Sequence, residues 1–145
     1  MRKGKRSISL ILAWPPGFFG IMEQGQIAFH AQRGALCENM VVTEFLKGRF
    51  NRGQQAADLH FWRDSKGLEM DLLLDDGINL TPVEIKSGQT IAADSHIAPR
   101  KWCELSGTTD RPALLANRGD KGLTNGNIAF IPGRKLERSC DFGFP

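Results

Sequence analysis

The sequence predicts an α/β (α+β) domain with its elements in the order α-β-β-β-α-β, and three observations carry that expectation. Ala35 to Arg49 has apolar residues at helical spacing. Three strand-like runs then follow in close succession, Ala57 to Arg63, Leu68 to Leu74 and Leu80 to Ser87, with short turns between them. A second helical stretch, Thr90 to Leu105, leads into short apolar runs at Pro112 to Ala116 and Asn127 to Pro132. At 145 residues and 41% hydrophobic content, the chain suffices for one globular domain with a real core.

The first twenty residues open with Arg2, Lys3, Lys5 and Arg6, then an apolar run from Ile8 to Trp14 that Pro15, Pro16 and Gly17 break. The run is at the short limit for a signal peptide and no small-residue cleavage site follows, so an edge strand or a poorly ordered tail is expected instead. Residues 1–33 thus form an atypical N-terminal segment, and 34–145 the domain.

Within Ala35 to Arg49, Glu38, Val41, Val42 and Phe45 follow the i, i+3, i+4, i+7 rule, which places Glu38 on the inward stripe. A carboxylate there must be paired, hydrated or bound to a metal; the alternative is a first-turn acid that favours the helix N-terminus and reaches water. The three strand runs form an antiparallel meander, with turns at Asp64 to Gly67 and at Asp75, Asp76 and Gly77. Pro82 lacks a backbone N–H, so that part of its strand belongs at an edge or at the strand's beginning. In the second helical stretch Asp94 or Ser95 is the expected cap and Pro99 the start of the regular part. Asn117 to Gly126 reads as a loop.

The chemistry concentrates in Gly67 to Gly88. Strand alternation projects Glu84 and Lys86 from one face, with Val83 and Ile85 on the other. In the preceding run the same period puts Asp71 with Glu69 and Leu73, opposite Leu68, Met70, Leu72 and Leu74. Pairing the two runs as a hairpin brings Asp71 close to Glu84. Two strand-borne carboxylates with a lysine beside one of them suit a metal-dependent phosphodiesterase: hard oxygen ligands hold Mg²⁺, and the lysine orients or deprotonates water and stabilises charge on the phosphate.

Composition excludes several other classes. A net charge of +3 and a pI near 8.9 tolerate a polyanionic partner without the footprint of a dedicated nucleic-acid binder. Cys37, Cys103 and Cys140 are odd in number and far apart, which argues against a disulfide framework or zinc site and for a reducing, cytoplasmic setting. His30, His60 and His96 are equally scattered. No apolar run reaches membrane-spanning length, and no G-x-x-x-x-G-K-[ST] loop for ATP occurs.

The element order with its Asp71, Glu84-x-Lys86 constellation resembles the PD-(D/E)xK, or restriction-endonuclease-like, superfamily, whose core has a mixed central sheet flanked by helices. More specifically, L-C-E-N-M-V-V-T-E-F-L-K, L-H-F-W-R-D, G-L-E-M-D-L-L-L and P-V-E-I-K-S-G-Q-T resemble domain of unknown function 4143, the C-terminal domain of bacterial and archaeal AAA-type ATPases. The resemblance covers about Gly34 to Leu105 well. It implies Glu38 as the helix acid, Asp71 and Glu84 as ligands of Mg²⁺ or Mn²⁺, Lys86 as the catalytic lysine and Gln89 as an accessory polar position. Met70 stands where the superfamily's proline would be. The ATPase half is missing, which suggests a truncated or rearranged member.

Two functions follow as expectations. One is a Mg²⁺-dependent nuclease acting on DNA or RNA, with Arg49, Arg52 and Arg63 contacting phosphates. The other is a catalytically silent DNA-binding or regulatory module of the same fold, up to and including a gene remnant, with an ATPase or a second copy as partner.

Overall fold

A computed structural model describes residues 5–7, 29–53, 59–88, 90–108, 111–117, 119 and 122–132. Within them the first predicted helix forms as α1, Arg33–Asn51. Its buried stripe is Leu36, Cys37, Val41, Val42, Phe45, Leu46 and Arg49. The expectation of an inward Glu38 fails: Leu36 and Cys37 carry the stripe through the first turn, and Glu38 stays exposed.

The expected meander forms as β2 (Leu59–Arg63), β3 (Glu69–Asp75) and β4 (Leu80–Lys86). Ahead of it, β1 (Lys5–Ser7) pairs antiparallel with β2, so an edge strand does come from the N-terminal segment. The Ile8 to Trp14 run and residues Ala57 and Asp58 lie outside the described residues. After β4 come α2 (Ile97–Ser106), β5 (Ala113–Asn117), β6 (Leu123–Asn125) and β7 (Ile128–Pro132). The sheet order is β1-β2-β3-β4-β5-β7-β6, with β4, β5 and β7 parallel to their neighbours in that run and the remaining pairs antiparallel. The result is a mixed sheet, because a parallel β4–β5 pair needs a crossover, and that crossover carries α2.

Among the described residues one helix packs on each face of the sheet. Val41, Val42 and Phe45 of α1 pack on Leu72, Leu74, Val83, Ile85, Leu114 and Ile131. On the other face Trp102 and Cys103 of α2 pack with Trp62, Met70, Leu73, Leu115 and Ile128. Burial on both sides explains the near-continuous apolar reading of β5, A-L-L-A-N, all of it buried.

Pro82 pairs with Leu73 of β3, while the ladder to β5 starts only at Val83. It therefore sits in a central strand, at the beginning and ahead of the parallel pairing, where a missing N–H costs no ladder bond. Neither Asp94 nor Ser95 caps α2. His96 occupies the N-cap with no side-chain hydrogen bond, and the Ile97 N–H reaches the Asp94 carbonyl through a preceding turn. Gly107 ends the helix at φ 71°, the left-handed conformation that glycine adopts without a Cβ clash. Strand β6 lies in the stretch read as a loop. Its signal was Gly126-Asn127, a hairpin dipeptide between β6 and β7, with Gly126 at φ 59°.

The turn joining β3 and β4 is held by side chains. Asp76 accepts hydrogen bonds from the Ile78 and Asn79 N–H groups and pairs with Arg111 at 2.7 Å. Burial works against its charge, but those N–H groups and Arg111 outweigh it and hold its pKa below the usual value. Asp76→Ala is expected to cost about 1–3 kcal/mol, since it strands two N–H groups and removes the ion pair with Arg111. A depressed pKa stabilises the fold above the unfolded value and loses that contribution as pH falls through the folded one. Urea midpoints of wild type and Asp76→Ala should therefore differ at neutral pH and converge in acid; equal midpoints at neutral pH would refute the role.

Candidate functional site

Strands β3 and β4 pair from Asp75↔Leu80 to Leu72↔Val83, and the ladder stops there. One step further the same register would set Asp71 opposite Glu84. Instead the Asp71 carboxylate takes over a backbone role: Oδ2 accepts the Ile85 N–H at 2.7 Å. The hairpin thus opens at its free end, with two acids at the mouth.

A bulge in β3 aims them. His60 pairs with Leu73 and Trp62 with Met70, so two steps along β2 match three along β3. The extra residue falls at Asp71 and Leu72. Strict alternation therefore fails at this point. Leu72 and Leu74 face α1, but Met70 joins Leu73 on the α2 side. The predicted grouping of Met70 with Leu72 and Leu74 is corrected accordingly. A single bulge turns Asp71 toward the β4 backbone.

On β4 alternation holds. Val83 and Ile85 face α1, while Glu84 and Lys86 border a cavity on the α2 side. Glu84 is buried, at 8% exposure in a central strand. Its Oε1 accepts a hydrogen bond from Lys86 Nζ at 2.6 Å, the charge-assisted pairing that an interior carboxylate requires.

The acids work against one another. Burial, then the nearby Glu84 charge, pushes Asp71 up to about 6, although the Ile85 N–H and Lys86 pull the other way. Burial also raises Glu84 despite Lys86, with Glu38 and Glu69 adding to the rise. Glu38 is raised by desolvation, then by Asp71 and Glu69, even though it remains exposed at the rim. Lys86 is partly desolvated, which opposes its charge, but Glu84 outweighs that, with Asp71 and Asp94 helping, and holds it above the usual lysine value. Glu38, Asp71, Glu84 and Lys86 are thus one electrostatic unit. Concentrated negative charge of this kind is what a cation would relieve.

Other predicted residues fall elsewhere. Arg49 is buried and donates to the Asp75 carbonyl at 3.3 Å, at the turn end of the hairpin, away from Asp71. It is therefore no phosphate contact for this site. Arg63 lies 3.6 Å from Glu69. Arg52 is exposed at the end of α1, near Arg49. Gln89 lies outside the described residues. Cys37 and Cys103 are buried, and among the described residues no three His, Cys, Asp or Glu side chains converge as a metal cage. No described helix is long and apolar enough to cross a membrane.

Sequence reasoning missed the wall facing Lys86. The segment after β4 and the start of α2 bring Thr90, Asp94, Ile97 and Lys101 to the cavity that Glu84 and Lys86 border. Arg33, at the start of α1, donates to Ser87 Oγ at 3.3 Å and ties the helix to the end of β4. The one signal available was the i, i+4 spacing of Ile97 and Lys101, which puts both on one helix face.

Fold and site together define an α+β protein whose mixed sheet presents two carboxylates and a lysine at the open end of a hairpin. The chain belongs to the family described as Domain of unknown function (DUF4143), whose model matches residues 33–136. No curated protein and no solved structure matches the chain.

Proposed function

We propose that this protein is a metal-dependent phosphodiester hydrolase acting on nucleic acid, in the manner of the PD-(D/E)xK superfamily that its motifs resemble. The observation that carries this reading is the meeting of Asp71 and Glu84 at the hairpin mouth, with Lys86 Nζ 2.6 Å from Glu84.

The donor set fits a hard divalent cation. Asp71 uses Oδ2 on Ile85 and Glu84 uses Oε1 on Lys86, which leaves the second oxygen of each for a ligand role. Two carboxylates rather than a full cage suit Mg²⁺, which keeps several waters. When bound there, the ion would neutralise charge on the scissile phosphate and lower the pKa of a bound water. The chain's own groups do the rest. Lys86 is held protonated by its acidic neighbours, which supports a role as donor to phosphate oxygens rather than as base. Glu38, accessible and coupled to Asp71, is available to accept a hydrogen bond from water at the rim.

The test is a cleavage assay on single-stranded and duplex DNA and RNA with Mg²⁺ or Mn²⁺. Wild type is expected to cut in a metal-dependent way, and Lys86→Ala to lose about a hundredfold or more in rate at a temperature where circular dichroism shows it folded, its thermal midpoint being lowered because Glu84 loses its partner. Complete inactivity of wild type with every substrate and both metals would sink the proposal, and so would an undiminished Lys86→Ala rate.

A further inference from the structure

The cavity beside the candidate site has a volume of about 610 Å³. That lies within the range of about 300–1,000 Å³ typical of small-molecule pockets. Its position is informative. Glu84 and Lys86 form one wall, so whatever fills the cavity lies directly against the proposed reacting groups. The lining also carries apolar side chains from α2 and the β2–β3 turn, Leu68, Ile97 and Ala98. Ile97 is 45% exposed and borders the cavity. One turn along the same helix Lys101 reaches the cavity too, and it makes no ion pair among the described residues.

We infer that this cavity seats one unpaired nucleotide of the substrate strand, its base against Leu68, Ile97 and Ala98 and its phosphate held between Lys86 and Lys101. The inference rests on the nuclease reading above and narrows its substrate to single-stranded or frayed nucleic acid. A base stacked and paired within a duplex cannot enter a one-sided pocket of this size; it must be unpaired already or be flipped out at a cost of a few kcal/mol.

Charge distribution points the same way. Duplex binding draws its affinity from many phosphate contacts, and three of the described arginines are turned to other partners. Arg49 is buried at the far end of the hairpin, Arg63 faces Glu69, and Arg111 is paired with Asp76. Among the described residues Lys86 and Lys101 are the lysines that border the cavity, and Arg33 reaches Ser87 beside it. Asp94 also borders the cavity. It disfavours a second phosphate there and offers an acceptor to the amino group of a base.

The inference is tested by fluorescence anisotropy in EDTA, where no cleavage occurs, with labelled DNA and RNA single strands, a blunt duplex and a duplex with an unpaired end, all of one sequence. The single strands and the frayed duplex are expected to bind about tenfold or more tighter than the blunt duplex, and the DNA and RNA arms show which sugar is preferred. Lys101→Glu should weaken single-strand binding about tenfold; Lys101→Ala should lower the slope of log K against log salt by about 0.7, the value of one single-strand phosphate contact. Ile97→Asp puts a carboxylate among the apolar lining side chains at an exposed first helical position, where it suits the helix N-terminus. It should remove the preference for unpaired ends without lowering the thermal midpoint.

A blunt duplex bound as tightly as the single strand overturns the inference, as does unchanged single-strand binding in both Lys101→Glu and Ile97→Asp. The two proposals fail separately. Single-strand preference without cleavage in metal removes the nuclease reading but keeps the pocket; cleavage in metal with no preference for unpaired strands removes the pocket alone.

Discussion

Asp71→Asn is expected to abolish metal-dependent cleavage and, in metal-free buffer at neutral pH, to make the protein more stable than wild type. The asparagine oxygen can still accept the Ile85 N–H, so the bond at the hairpin mouth survives. What disappears is a charge that burial and Glu84 oppose. A rise from 3.8 to about 6 corresponds to a ceiling of about 3 kcal/mol, and partial solvent access reduces the expected gain to about 1–2 kcal/mol. The sign follows from proton counting. The folded state holds its Asp71 proton up to a higher pH than the unfolded chain does, so wild type loses stability as pH rises from 3.8 to about 6 and bears the whole penalty above that window. The advantage of Asp71→Asn should therefore vanish in acid and be complete at pH 7.

Thermal unfolding across that pH range checks the electrostatics. Millimolar Mg²⁺ or Mn²⁺ checks the ligand role, because an ion that binds only the folded site raises the wild-type midpoint and leaves Asp71→Asn unmoved. A variant less stable than wild type at pH 7 would contradict the charge-repulsion account. Equal metal responses in the two proteins would contradict the ligand assignment.

Trp102→Ala should be the most damaging single change to the fold. The side chain is fully buried and stands edge-on to Trp62, with ring centroids 6.4 Å apart and planes at 87°. It is central to the packing of α2 against the sheet, which also forms the wall of the cavity. Truncation is expected to cost about 3–5 kcal/mol, much of the total of roughly 5–15 kcal/mol typical of a domain. Its indole Nε1 is buried with no hydrogen-bond partner, so part of the native burial is already unfavourable. Trp102→Phe, which keeps a ring, leaves a smaller cavity and discards that N–H, should therefore cost less than Trp102→Ala. Urea midpoints of the two variants separate the contributions: equal losses would mean that the indole N–H, or the exact ring size, matters more than the volume.

The family match supports the reading of the chain as a DUF4143 domain, and the sheet supports the α+β class. Much of this was legible because it depends on local periodicity. Alternation in V-E-I-K places Glu84 with Lys86, whatever surrounds the strand. The acidic turn with Gly77 at φ 86° brings the next strand back antiparallel, which by itself carries Asp71 to the neighbourhood of Glu84.

The remainder depended on contacts between residues far apart in the chain. Helical spacing put Glu38 inward, but which residues of a helix are covered depends on where the sheet beneath it ends. Arg49 looked like a phosphate contact until packing buried it against the Asp75 carbonyl. The Met70 side chain was assigned to the wrong face because a β-bulge is a mismatch between two strands, visible only once β2 and β3 are paired. By itself the sequence determined the strands of the meander, the turn between β3 and β4, and the shared face of Glu84 and Lys86, all set by the chain's own short-range geometry. Tertiary structure alone decided that the hairpin opens at Asp71, that Glu38 keeps its water, and that α2 closes a cavity over Lys86, because those depend on which distant surfaces meet.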